Sequence, residues 1–233
     1  MAGSTGPSRS SSGSATTPVS CSTTTPSWLD DFLPLATAGQ ADGGGLTHID
    51  HVGLVQPFEQ FQESGLFYQL LLGLRPRGNV EYAAPNGLMR SRALASTGGR
   101  VRLALNVPAL GGDVAGPATA QHVAFGCRDI LATAAALRER ALPILPIPPN
   151  YYDDLDARWE LDPALLETMQ TSGILYDRDE AGELFHLYTG MLGHRLFLEV
   201  VQRAGGYAGY GEVNAPVRAA AQLAAVRDVP ADG

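Results

Sequence analysis

The sequence predicts an α+β fold made of two similar modules, each with the order strand–helix–strand–strand–strand. Two short apolar strands begin alike, HIDHVGLV (48–55) and AQHVAFG (120–126), and each is followed by a helical segment and further strands. A repeat of this kind predicts two βαβββ units within one domain. We place the modules at about 46–110 and 118–204, followed by a C-terminal helix at about 216–227.

The first module is predicted to contain the helix FEQFQESGLFYQLLLG (58–73) and the strands LMRSRALAS (88–96) and RVRLALNVP (100–108). Four apolar residues of this segment recur at a spacing of three and four residues, which supports the helix: Phe61, Leu66, Phe67 and Leu70.

The second module is predicted to contain the helix DILATAAALRERAL (129–142) and three later strands, SGILYDRD (172–179), ELFHLYT (183–189) and RLFLEVVQR (195–203). A break at PPN (148–150) precedes an insert that is typical of a short helix pair. Within the insert, Asp162 is the expected N-cap of a helix and Pro163 the expected residue of its first turn.

Residues 1–45 are predicted to be a disordered linker or tail. Most of residues 3–27 are Ser, Thr, Gly or Pro, and such a segment buries too little apolar surface to offset the entropy of ordering. The remaining 46–227 are long enough for one domain with a sizeable core.

Composition excludes several classes of function. The net charge is −8 with no basic run, so we expect neither nucleic acid nor an anionic membrane as a partner. No apolar stretch approaches the length of a membrane span. Two cysteines, Cys21 and Cys127, make no disulfide framework, and we expect a cytoplasmic location. All 16 basic residues are Arg, which excludes Schiff-base and P-loop lysine chemistry.

Two histidines occupy the equivalent strands of the two modules. His51 follows Asp50, and strict alternation would place it on the same strand face as Ile49 and Gly53. A lone strand histidine is more often a buried residue that hydrogen-bonds the backbone. His122 at the same repeat position makes a shared role the better interpretation.

Glu199 interrupts the apolar run LFLEVV (196–201), which is typical of a strand that is buried on both faces. An unpaired carboxylate there is costly, so it must be protonated, ion-paired or metal-bound. Arg195 and Arg203 are alternative partners, but both lie four positions away, more than about 10 Å along a strand. We therefore predict that His51, His122 and Glu199 bind a metal and leave positions open for a chelating substrate and dioxygen.

The other histidines have weaker claims. His48 points away from His51, and His194 lies in a turn-like segment. His186 is either a substrate-pocket residue or a core histidine with satisfied hydrogen bonds.

Several motifs over about 46–222 resemble the 4-hydroxyphenylpyruvate dioxygenase family, in its C-terminal, metal-bearing half. They are IDHVG, ALNVP, AQHVAF, LPIPPNYYDDL, GILYDRDEAGELFHLYT, FLEVVQR and GYGEVNAP. The resemblance implies a vicinal-oxygen-chelate (glyoxalase/dioxygenase-like) fold, a pair of half-barrels. It also implies Fe(II) at His51, His122 and Glu199, with Mg, Mn or Co as alternatives. An aromatic 2-oxo acid would chelate the iron and react with dioxygen.

The resemblance also implies substrate contacts, and here the chain departs from the family. The implied contacts are Ser91, Asn106, Gln121, His186, Tyr188 and Asn214. Among these, His186 replaces a glutamine and Tyr188 replaces a stacking phenylalanine. Ala215 replaces another phenylalanine, just before the helix that would close the pocket.

A second resemblance is to the dioxygenase-like C-terminal domain of bacterial 3-dehydroshikimate dehydratase fusions, through NYYDDL, LYDRD and GYGEVNAPVR. It supports an alternative function, a metal- or ligand-binding module of a dehydratase system that does not oxidise its ligand. Either a homodimer or a dehydratase-barrel partner would then be expected. Isomerisation or extradiol cleavage on the same fold is a third alternative.

Overall fold

A computed structural model describes residues 44–85, 87–108, 119–192 and 196–227. In chain order, the first module contains β1 (Leu46–Val55), α1 (Phe61–Leu72), β2 (Arg75–Ala84), β3 (Gly87–Ala95) and β4 (Arg102–Pro108). The second contains β5 (Thr119–Cys127), α2 (Ile130–Glu139), α3 (Pro149–Trp159), α4 (Pro163–Ser172), β6 (Leu175–Arg178), β7 (Gly182–Tyr188) and β8 (Phe197–Gly205). Helix α5 (Ala215–Arg227) follows the second module.

The eight strands form one mixed sheet in the order β2-β3-β4-β1-β5-β8-β7-β6. Strands β1 and β5 meet antiparallel at its centre, and each pairs in parallel with the last strand of its own module, β4 or β8. The two modules are therefore repeats that join through their first strands. This confirms the predicted α+β fold of two βαβββ units arranged as half-barrels.

The larger apolar core lies in the second module. It contains Tyr152 and Leu155 of α3, Met169 of α4, and Phe197 and Val200 of β8, all of them buried. The first module has a smaller core around Phe61, Leu74, Leu94, Leu105 and Val107. Both cores stabilise the central strands, which carry the candidate site.

The structure confirms the predicted helix pair and adds one strand. The Asp162 carboxylate accepts hydrogen bonds from the Ala164 and Leu165 amides and caps α4, with Pro163 at the first helical position. The sequence did not delineate β2, because its residues are mostly exposed and include a proline and a glycine, so they show no apolar alternation.

The predicted helix is present as α1, but most of its regularly spaced apolar residues are exposed. Phe61 is buried, but Leu66, Phe67 and Leu70 are 56, 52 and 80% exposed. Helical spacing shows that these side chains share a surface. It does not show what covers that surface, and no described residue of the chain does so.

Strict alternation along β1 is also wrong. Ile49 is exposed, whereas the neighbours Asp50 and His51 are both buried. The pairing of β1 with β5 shifts register between Ile49 and His51, and such a bulge lets two successive residues turn inward.

Several predicted features lie outside the described residues: nearly all of the predicted 1–45 tail, and both His194 and Arg195. Among the described helices, none is long and apolar enough to cross a membrane.

Candidate metal centre

Three side chains from the central strands converge on one point. The distance from His51 Nε2 is 3.2 Å both to His122 Nε2 and to Glu199 Oε2, and His122 Nε2 lies 3.6 Å from Glu199 Oε2. They come from β1, β5 and β8, so sheet pairing alone brings together residues that are far apart in sequence.

The triangle formed by these donor atoms has the size that a transition metal needs. Three donors that each lie about 2.1 Å from one ion are roughly 3.0 to 3.4 Å apart for octahedral to tetrahedral angles. Two of the observed separations, both 3.2 Å, lie within this range, and the third, 3.6 Å, exceeds its upper end by 0.2 Å. Two imidazoles and one carboxylate also form the donor set of non-haem iron sites, so these residues fit such an ion.

The repeat explains why only one carboxylate is present. In the second module Ala124 of β5 pairs with Glu199 of β8, and in the first module Gly53 of β1 pairs with Ala104 of β4. Ala104 therefore occupies the position that is equivalent to Glu199, and it lines the cavity next to the donors. The small side chain leaves one side of the centre open.

Asp50 fixes the orientation of His51. Its Oδ1 lies 2.9 Å from His51 Nδ1, and its carboxylate accepts hydrogen bonds from Arg102 and Arg203 at 2.8–2.9 Å. Burial raises the pKa of Asp50, but Arg203 and His51 outweigh that effect and hold it well below its usual range. An ionised Asp50 keeps the proton of His51 on Nδ1 and directs the Nε2 lone pair to the centre.

His122 is held by packing. Its ring stacks on Phe197, with centroids 5.0 Å apart and planes inclined by 16°. On another side it touches Gly53, where a Cβ would lie only 2.0 Å from His122 Cε1. Burial lowers the pKa of His122 to about 3, so the imidazole is neutral, the form that binds a metal.

The carboxylate of Glu199 is oriented by His186. Its Oε1 lies 2.8 Å from His186 Nδ1, which leaves Oε2 for the centre. His186 Nε2 in turn lies 2.9 Å from Asn214 Nδ2, and Tyr151 donates to Asn214 Oδ1. Burial raises the pKa of Glu199, but the charge of His51 and hydrogen bonds from His186 and His51 hold it well below its usual range.

The two carboxylates next to His51 favour its protonated form when no metal is bound. Burial lowers the pKa of His51, yet the Glu199 and Asp50 carboxylates outweigh burial and raise it to about 9. The protonated Nε2 then lies between His122 Nε2 and Glu199 Oε2. A divalent ion would replace this proton.

A cavity of about 50 Å³ adjoins the three donors. Of the predicted substrate residues, Ser91, Asn106 and Tyr188 line it. Gln121 lines a neighbouring outer cavity of about 270 Å³ and accepts a hydrogen bond from Asn106. His186 and Asn214 line neither cavity, because their polar atoms are directed to Glu199, to each other and to the Tyr176 carbonyl.

The sequence analysis missed five residues with polar or charged side chains at the site: Asp50, Tyr82, Tyr210, Glu212 and Arg218. Asp50 could have been recognised, because a carboxylate next to a metal-binding histidine is a common partner for its second nitrogen. The other four line the cavity from β2, from the segment between β8 and α5, and from α5. Nothing in their local sequence marks them.

The sequence profile of the Glyoxalase/Bleomycin resistance protein/Dioxygenase superfamily matches residues 48–164, just over half of the chain. The chain belongs to this superfamily. Its two-module sheet, with both histidines on paired first strands, agrees with that assignment.

Among curated proteins, a 3-dehydroshikimate dehydratase of Pseudomonas aeruginosa is 42% identical over 80% of this chain and 31% of its own length. One from Pseudomonas putida is 41% identical over 78% of this chain and 30% of its own length. The chain thus spans under a third of these two relatives. A 4-hydroxyphenylpyruvate dioxygenase of Neurospora crassa is 29% identical over 78% of this chain and 48% of the relative.

Two solved structures share the fold. A xylose isomerase-like TIM barrel/4-hydroxyphenylpyruvate dioxygenase fusion protein is 40% identical, with a TM-score of 0.67, over 78% of this chain and 30% of that protein. A variant of 4-hydroxymandelate synthase from Streptomyces coelicolor is 24% identical, with a TM-score of 0.70, over 78% of this chain and 55% of that protein.

Proposed function

We propose that this chain is an Fe(II)-dependent oxygenase that acts on an aromatic 2-oxo acid. The convergence of His51, His122 and Glu199 on one point carries the proposal. The superfamily includes dioxygenases, and several relatives are named 4-hydroxyphenylpyruvate dioxygenase. Bound Fe(II) would supply Lewis-acid and redox chemistry to a chelating 2-oxo acid and to dioxygen at its open positions.

The protein's own residues would prepare that reaction in three ways. Asp50 keeps the proton of His51 on Nδ1, and His186 holds Glu199, so the donors need little reorganisation. Ser91 on β3 and Asn106 on β4, which are paired neighbours, would orient the substrate, since both line the cavity. Helix α5 covers the cavity through Ala215 and Arg218, which limits the access of water.

The test is to load the chain with Fe(II) under anaerobic conditions and then measure oxygen uptake with a series of aryl-pyruvates. We expect uptake coupled to loss of the 2-oxo acid. Glu199→Gln should lose both bound iron and uptake, whereas the surface control Glu167→Gln on α4 should keep both. If no aryl-pyruvate gave rise to oxygen uptake, the oxygenase proposal would be refuted. Iron retained by Glu199→Ala would overturn the assignment of the ligands.

A second candidate function is a dioxygenase-like module that serves a 3-dehydroshikimate dehydratase without oxidising its ligand. The favouring observation is that identity to the two dehydratases, 42 and 41%, exceeds the 27–30% to the dioxygenases. The exposed apolar residues of α1, including Leu70 and Leu71, offer a surface for a dehydratase barrel.

This candidate predicts that a separately produced dehydratase barrel co-elutes with the chain in size-exclusion chromatography. Leu70→Glu should abolish co-elution, while the exposed control Val101→Glu should not. Robust aryl-pyruvate turnover by the isolated chain would count against a purely structural role.

A further inference from the structure

Arg218 is a buried cation beside the candidate metal centre. It lies on α5 and is 8% exposed, and its Nη1 donates one hydrogen bond, 2.7 Å long, to Gln222. Within the described ranges, no carboxylate forms an ion pair with it. By contrast, Arg102 and Arg203 both bind the buried Asp50.

Aromatic rings only partly compensate for this burial. The guanidinium carbon of Arg218 lies 5.1 Å from the centre of the Phe197 ring and 5.7 Å from that of Tyr188. Contacts with ring faces stabilise a cation only weakly. Among the described residues, the one hydrogen bond recorded for the guanidinium, which has five N–H donors, is that to Gln222. A buried guanidinium in this state is suited to an anion that arrives with a ligand.

Arg218 lies where a ligand of the metal centre must pass. It lines both the 50 Å³ cavity beside the donors and the 270 Å³ outer cavity, and Tyr82 also lines both cavities. A cavity known to bind benzene has a volume of about 150 Å³, three times that of the inner cavity, so an aromatic acid does not fit beside the metal alone. Its ring must extend outward past Arg218.

The charges of the two cavities point to a ligand with two negative groups. A divalent ion on neutral His51 and His122 and ionised Glu199 carries a net charge of +1, and Arg218 adds a second positive charge. Glu212 also lines the inner cavity, but it is exposed, and its carboxylate accepts a hydrogen bond from the Tyr210 amide. Water screens it far more than the buried Arg218.

We propose that the ligand is an aromatic 2-oxo acid with a second acid group on its ring, and that Arg218 binds this group. The proposal rests on the proposed function for the metal-chelating end of the ligand. It specifies the class of substrate: an aromatic acid with two acid groups, instead of one whose ring carries a neutral hydroxyl. The short distances from Phe197 to both His122 and Arg218 place the guanidinium within about 10 Å of the His122 ring, which a substituted aryl-pyruvate can span.

The test measures binding to the Co(II)-loaded chain by calorimetry, with no turnover required. The ligands are phenylpyruvate, 4-hydroxyphenylpyruvate and the 3- and 4-carboxyphenylpyruvates. We expect at least one carboxylated ligand to bind about tenfold or more tightly than phenylpyruvate, since a charge-assisted pair is gained. Arg218→Gln should remove this preference, and Arg218→Lys should keep part of it. Arg178→Gln on β6, which changes the net charge equally but lines neither cavity, should leave it intact.

The outcomes separate the two proposals. Equal binding of carboxylated ligands and phenylpyruvate to the wild-type chain would overturn the role of Arg218, and this comparison needs no variant to fold. A preference that persists in Arg218→Gln would overturn it as well. Failure of Co(II) itself to bind would overturn the metal centre, whereas Co(II) binding and a carboxylate preference without oxygen uptake by the Fe(II) form would overturn only the oxidation.

Discussion

Replacing Gly53 with alanine adds one methyl group and leaves all three metal-binding residues in the sequence, yet it should remove metal binding. An alanine Cβ at this position would lie 2.0, 2.2 and 2.7 Å from three ring atoms of His122. Carbon atoms in contact are about 3.5 Å apart, so the ring must move by roughly 1.5 Å. Metal–donor distances tolerate only about 0.2 Å, and Phe197 stacks on the ring.

The measurement is Co(II) affinity by titration against a competing chelator, with circular dichroism to verify the fold. We expect Gly53→Ala to lose affinity by at least a hundredfold, as His122→Ala would. The matched control is Gly78→Ala on β2, because a Cβ there meets no atom within 4 Å. Wild-type affinity in folded Gly53→Ala would refute the assignment of His122 and the packing argument together.

Three further predictions concern the centre and the fold. Asp50→Asn should weaken Co(II) binding by about 10- to 100-fold in chelator competition, because the carboxylate that orients His51 is lost; unchanged affinity would argue against this role. Because the pKa of metal-free His51 is raised to about 9, the ion must displace its proton, so affinity should rise about tenfold per pH unit from 6.5 to 8.5; a flat profile would contradict this. Asp162→Ala should lower the free energy of unfolding by about 1 kcal/mol in urea denaturation through loss of the α4 cap, and leave Co(II) affinity unchanged.

Local sequence was sufficient for the repeated order of strands and helices. Apolar periodicity and turn signals indicate whether a segment forms a helix or a strand. The helix cap at Asp162 could be recognised from its local sequence as well. Periodicity could not report what lies opposite a surface. The alternation in β1 was therefore predicted wrongly, and the exposure of α1 was not foreseen, because both depend on contacts between segments.

The candidate donors could also be proposed from sequence, because a carboxylate in a buried strand and two histidines at equivalent repeat positions are rare and costly. Their separation of 3.2–3.6 Å, however, follows from the pairing of β1, β5 and β8. The same pairing turned His186 toward Glu199, whereas the sequence had left it between a pocket and a core role.

The sequence by itself thus determined the two-module α+β fold and was enough to propose His51, His122 and Glu199 as candidate metal donors. Only the tertiary structure decided what surrounds them, namely Asp50 next to His51, Gly53 against His122, and the buried Arg218 beside the cavity. The physical reason is that secondary structure depends on neighbours along the chain. Charge pairing and cavity shape depend instead on residues that are distant in the sequence and meet only after the sheet has formed.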